Sequence, residues 1–162
     1  MNGKHQITRT VQVATDPAAI WGVIADSRLL PQWASVVTDV TYLGETEEGV
    51  GMTRHCSVDF GGRTGTMTER CVEFVPGRRA GYVVDDDTLG FHRMLVDYGF
   101  TITLDPRSDR TTTVRIDTYY TPRTPLYELL NRLVLRRRMR RTVDGLLQGL
   151  KQISERRSAQ TA

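Results

Sequence analysis

The chain has 162 residues, 39% of them hydrophobic and 25% charged, with a formal net charge of +3. That length supports one sizeable core rather than two domains, and no segment approaches the roughly 18 consecutive apolar residues of a membrane-spanning helix. The cysteines Cys56 and Cys71 form no CxxC pair and no His/Cys cluster, and there is no phosphate-cradling glycine loop or nucleotide fingerprint, so no metal or other cofactor is expected.

The opening segment Met1–Gln6 has no apolar h-region, which makes a cytoplasmic location the expectation. Gln6–Ala14 alternates Ile7, Arg9, Val11 and Val13 with polar residues, a strand pattern. Asp16-Pro17 then supplies an N-cap and a first-turn proline for a short helix through Ile20, Trp21 and Ile24. A second helical turn is predicted over Leu29–Trp33, and Val36–Leu43 is predicted as the next strand, ending in the turn region Gly44–Gly49.

Gly61-Gly62 marks a tight hairpin, because both glycines tolerate the positive φ that a primed turn requires. Pairing Phe60 with Arg63 sets Arg54 opposite Glu69, Met52 opposite Cys71, Cys56 opposite Met67 and Val58 opposite Gly65. The other face pairs Thr53 with Arg70, His55 with Thr68, Ser57 with Thr66 and Asp59 with Thr64, and is wholly polar. A one-residue slip would exchange the faces, so the register is well specified and turns Arg54 and Glu69 inward. The cysteines then lie on one face about 13 Å apart at ~3.3 Å per residue, too far for a disulfide.

Beyond Pro76-Gly77, Ala80–Val84 is predicted as a strand, and Phe91–Leu104 as a long one with His92, Met94, Val96, Tyr98, Phe100, Ile102 and Leu104 on its inner face. Asp105-Pro106 turns the chain into Thr111–Thr121, with Val114, Ile116, Thr118 and Tyr120 inward. Thr124-Pro125 then opens a helix of about thirty residues, roughly 45 Å at ~1.5 Å per residue.

At ~100° per residue, the stripe Leu126, Leu129, Leu130 and Leu133 is displaced by about a quarter turn from Val143, Leu146, Leu147 and Leu150. The displacement falls in a run of six arginines between Arg132 and Arg141, which predicts a bend there or a curved contact surface. Arg136 and Arg140 lie between the stripes and are expected at the interior mouth, with Arg137 and Arg138 exposed. Residues 1–155 are expected to form a single domain, with 156–162 a frayed tail.

This order of elements resembles the START-like or SRPBCC superfamily, with its polyketide cyclase/dehydrase, lipid-transport and Bet v 1-like branches. The resemblance rests on Asp16-Pro17-Ala18-Ala19-Ile20-Trp21, Pro31-Gln32-Trp33, Gly49-Val50-Gly51-Met52, Thr68-Glu69-Arg70 and the Leu146–Ile153 end of the helix, and covers nearly the whole chain. It implies an α+β helix-grip fold: a seven-stranded curved antiparallel sheet wrapped around the long C-terminal helix, with two short helices between strands 1 and 2. It also implies an elongated cavity between sheet and helix for a small hydrophobic or amphipathic molecule.

Inside such a cavity Arg54 could stabilise negative charge while Glu69 moves a proton, with His92 as a further polar candidate. Equally, Arg54 and Glu69 could be a structural ion pair. Trp33, Met52, Cys56, Met67, Tyr82, Met94, Tyr98, Tyr120 and Leu133 are the candidate ligand-binding residues. The preferred reading is binding of a lipid-, polyketide- or isoprenoid-like ligand. The alternatives are a cofactor-independent polyketide cyclase, aromatase or dehydrase, and docking of the arginine run to an anionic surface. No nucleic-acid partner is expected, a weak anionic-membrane contact would use Arg136–Arg141, and monomer and homodimer both stay open.

Overall fold

The computed structural model describes residues 3–108 and 110–161. In chain order it runs β1 (His5–Val13), α1 (Pro17–Ile24), a 3-10 turn (Ser27–Leu29), α2 (Leu30–Trp33), β2 (Val37–Leu43), β3 (Thr53–Asp59), β4 (Thr64–Val75) and β5 (Arg79–Asp87). It continues with α3 (Phe91–Met94), β6 (Leu95–Ser108), β7 (Thr111–Pro122), α4 (Pro125–Leu130), a π turn (Asn131–Leu135) and α5 (Arg136–Thr161). The strands form one seven-stranded antiparallel sheet in the order β1-β7-β6-β5-β4-β3-β2.

Local chemistry explains the ends of these elements. The Asp16 side chain accepts from Ala19 N at 2.9 Å and caps α1, with Pro17 in its first turn. Thr124 caps α4 in the same way, accepting from Tyr127 N at 3.3 Å. Gly61 and Gly62 adopt φ of 71° and 89°, and the β3–β4 register is the one the glycine pair dictates, Arg54 facing Glu69 and Cys56 facing Met67. Both cysteines are free and buried.

The main core lies between the concave face of the sheet and α5. Val143, Leu147, Leu150 and Ile153 pack with Val13, Ile20, Trp33, Tyr82, Ile102 and Ile116. The helix meets α2 closely at Gly149, where a Cβ would stand 1.9 Å from the Trp33 carbonyl oxygen. Helix α5 runs from Arg136 to Thr161, and Thr15 Oγ1 donates to Ser158 Oγ at 2.9 Å.

Two elements depart from the pattern expected of them. The strand predicted from Phe91 starts at Leu95, because Phe91–Met94 coil into α3 after Gly90, which sits at φ 85°. Asp87 stabilises that turn by accepting from Phe91 N, His92 N and His92 Nδ1 at 2.7–2.9 Å. Burial works against its charge, but these donors outweigh it and hold the Asp87 carboxyl below the ordinary aspartate range. A β-bulge between Val96 and Gly99, with Asp97 at φ 54°, then reverses the alternation, so Leu95 and Tyr98 both turn inward.

The second departure is the C-terminal helix. Its predicted discontinuity is a π turn that begins just before the arginine run. The wider turn takes up about one extra residue and rotates the rest of the helix by roughly 100° relative to a continuous α-helix. That rotation adds to the offset between the two leucine stripes. The second stripe stays in the core, whereas Leu126, Leu129, Leu130 and Leu133 end up exposed.

Candidate functional site

A cavity of about 760 Å³ opens between the sheet and the C-terminal helix. Met67, Tyr98, Phe100, Ile102 and Ile116 line it from the sheet, Ile24, Leu30 and Trp33 from α1 and α2, and Met139, Val143 and Leu146 from α5. Its exposed lining residues mark the mouth: Gly61 and Arg63 at the hairpin tip, and Leu130, Val134, Arg138 and Arg141 on the helix.

Arg54 and Glu69 lie on the cavity wall well away from that mouth, about 20 Å along β3 from the hairpin tip at ~3.3 Å per residue. Arg54 is 3% exposed. Its Nε and Nη2 both donate to Glu69 Oε2, at 2.8 and 2.6 Å, and its Nη1 donates to Ser27 Oγ at 2.9 Å. The guanidinium carbon also stands 4.1 Å from the centroid of the Tyr82 ring. Ser27 is in turn fixed by its backbone N–H, which donates to Tyr42 Oη at 2.9 Å, and Tyr42 is the cross-strand partner of Arg54.

Burial opposes the Arg54 charge, but the Glu69 carboxylate, Tyr82 and Cys56 outweigh it, so the guanidinium stays protonated with a pKa above that of free arginine. Burial pushes the Tyr82 phenol up to about 12 and raises that of Tyr98 as well. These phenols therefore stay neutral at physiological pH, able to donate or accept a hydrogen bond but unsuited to act as bases. Trp33 lines the cavity, and its Nε1 is buried without a hydrogen-bond partner.

Of the residues singled out in the sequence, the cavity brings together Arg54, Glu69, Trp33, Met67, Tyr82 and Tyr98, with Met94 joining from α3 rather than from a strand. The others stand elsewhere. His92 is carried by α3, half exposed and bound to Asp87, not on the inner face of the sheet, because the strand starts after it. Met52 and Cys56 are buried in the packing beside the cavity without lining it, and burial pushes the Cys56 thiol up to about 12. Tyr120 is fully buried and donates to Asn131 Oδ1 at 2.8 Å. Leu133 faces solvent because of the π turn.

The same turn corrects the arginines. Arg136 and Arg140 line a small cleft with Gln6–Arg9 of β1, and it is Arg138 and Arg141 that reach the cavity mouth. Ser27 is the site residue that sequence reasoning missed. Nothing in a short Asp-Ser-Arg turn signals that its serine will meet an arginine on β3.

The curved seven-stranded sheet around the C-terminal helix, with a cavity between them, defines a helix-grip protein. Residues 4–155 match the model of the polyketide cyclase/dehydrase and lipid-transport family, and the chain belongs to that family. Among solved structures it is similar to the Zhui aromatase/cyclase from Streptomyces sp. R1128, at 19% identity and TM-score 0.75 over 95% of each chain. It also resembles a START superfamily protein from Mycobacterium smegmatis, at 14% identity and TM-score 0.70 over 98% of this chain and 99% of that one. A norcoclaurine synthase from Thalictrum flavum, solved with dopamine and hydroxybenzaldehyde, aligns at 14% identity and TM-score 0.72 over 92% of this chain and 85% of that one. These identities establish a common fold. No curated protein sequence matches the chain. Among the described residues no helix is long and apolar enough to cross a membrane, and no cluster of His, Cys, Asp and Glu is arranged to hold a metal ion.

Proposed function

We propose that the protein binds and carries an elongated amphipathic small molecule of lipid, polyketide or isoprenoid type, its apolar body in the cavity and its oxygenated end toward Arg54 and Glu69. The observation that carries this reading is the distribution of polarity. The lining is mostly aliphatic and aromatic, and apart from the arginines at the mouth its charged groups, Arg54 and Glu69, form one buried patch, the usual composition of a site that orients a ligand. The patch is also largely self-satisfied. Arg54 donates to Glu69 and Ser27, which suits an environment that fixes a ligand's end better than one that must release a charge in every cycle.

One observation favours the second reading, a cofactor-independent cyclase or dehydrase. Both bonds from Arg54 to Glu69 end on Oε2, and Glu69 lines the cavity, which leaves Oε1 to take a proton from a bound keto compound while the Arg54 cation stabilises the negative charge that develops. Native mass spectrometry of protein purified from its own host separates the two. The carrier reading predicts a retained small apolar molecule released by organic extraction. Protein that emerges empty, and that converts a poly-β-keto substrate with loss of activity in Glu69→Gln, would establish the cyclase in its place.

A further inference from the structure

From α4 through the π turn the protein displays an apolar surface with no intramolecular partner. Leu126 and Leu133 are 66% and 68% exposed, and Leu129, Leu130 and Val134 are also exposed. Leu126, Leu129 and Leu130 recur at the i, i+3 and i+4 positions of one face of α4, and the exposed Leu133 and Val134 carry the apolar run on into the π turn. The π turn is what keeps that face out of the core.

Charge surrounds the patch on one side only. Arg132, Arg137, Arg138 and Arg141 are exposed in and just beyond the π turn, and Glu128 is the sole acidic residue between Pro125 and Val143. Glu128 is largely covered and is held by Lys4 Nζ and His5 Nε2 at 3.1 and 2.9 Å, with Arg132 Nε at 3.6 Å from its other oxygen, so its charge is already met within the chain. A second copy of this chain would bring arginines against arginines, and a purely polyanionic partner would leave the leucines in water. A bilayer carrying anionic headgroups answers both halves, taking the leucines into its acyl boundary and the arginines among its phosphates.

Position adds a third argument. Leu130 and Val134 belong to the patch and also line the cavity, with Arg138 and Arg141 beside them. The apolar surface is therefore continuous with the interior. We infer that α4, the π turn and the first turns of α5 dock the protein, mouth downward, on an anionic membrane, so that an amphipathic molecule passes between bilayer and cavity without crossing water. The docking surface is independent of which molecule the cavity holds.

The test is co-sedimentation of the full chain, stripped of any bound molecule, with phosphatidylcholine vesicles and with equimolar phosphatidylcholine/phosphatidylglycerol vesicles. Binding is expected to the anionic vesicles and to fall steeply with added salt, with a loss of several-fold for each of Arg137→Gln and Arg138→Gln. Combining Leu126→Ser, Leu129→Ser and Leu133→Ser is expected to weaken partitioning by at least about tenfold, because their apolar area no longer inserts. These side chains are exposed, so circular dichroism of the triple variant should match that of the parent. No binding to anionic vesicles at low salt would overturn the inference. So would binding that the serine variants leave unchanged, which would be adsorption by charge alone. Light scattering that shows a dimer abolished by those same serines would assign the patch to a second copy instead.

Discussion

Gly149→Ala is expected to destabilise the protein by about 2–3 kcal/mol, although alanine is the better helix former by about 1 kcal/mol. The reason is contact with backbone. The new Cβ would lie 1.9 Å from the Trp33 carbonyl oxygen and 2.9 Å from its carbon, and a main-chain carbonyl in α2 cannot swing aside as a side chain could. Either α5 or α2 must move, and both border the cavity, so the emission spectrum of Trp33 should shift with the loss of stability. Gly145 supplies the control four residues earlier on the same helix. A Cβ there meets nothing within 4 Å, so Gly145→Ala should raise stability by about 0.5–1 kcal/mol. Urea unfolding of the two variants measures both signs. Equal effects would mean that α5 does not rest on Trp33.

Arg54→Met should be as damaging, by a different route. It leaves the Glu69 carboxylate, 13% exposed, beside the cavity without its cation, and breaking a buried pair in this way costs about 3–5 kcal/mol. The loss depends on pH in a defined direction. The cost comes from burying an uncompensated negative charge, so it should be felt in full at neutral and mildly alkaline pH and relieved in acid, where carboxylates are neutralised. Arg54→Met combined with Glu69→Gln removes the stranded charge and should recover most of the stability. Denaturation at acidic and at mildly alkaline pH distinguishes this from simple lost packing, which would be insensitive to pH. If Arg54→Met were stable at every pH and held its ligand as well as the parent, the pair would have no part in the site.

The contrast between these residues and those misplaced by sequence reasoning has a physical basis. The β3–β4 register was legible because Gly61-Gly62 admits one tight turn, and the alternation of faces carries that information down to Arg54 and Glu69. The N-caps at Asp16 and Thr124 were legible because capping is local. His92 was misplaced because Asp97 enters the left-handed region and inserts a bulge, and because Asp87 draws the preceding residues into a turn, neither of which disturbs hydrophobic periodicity. Leu133 was misplaced for a related reason. A helical wheel assumes constant rotation per residue, and the π turn violates that assumption where the leucine stripe ends. Ser27 meets Arg54 only through the tertiary arrangement of a 3-10 turn over β3, which has no sequence signature.

The most direct measurement is methionine-methyl NMR during titration with anilinonaphthalene sulfonate, an amphipathic probe. Met67, Met94 and Met139 line the cavity, whereas Met52 is buried outside it. If the space between sheet and helix is the ligand compartment, those three methyl signals shift together along one saturable curve and Met52 barely moves. Probe binding that leaves Met67 and Met139 unshifted, or that moves Met52 as much as either, would place the ligand elsewhere on the molecule.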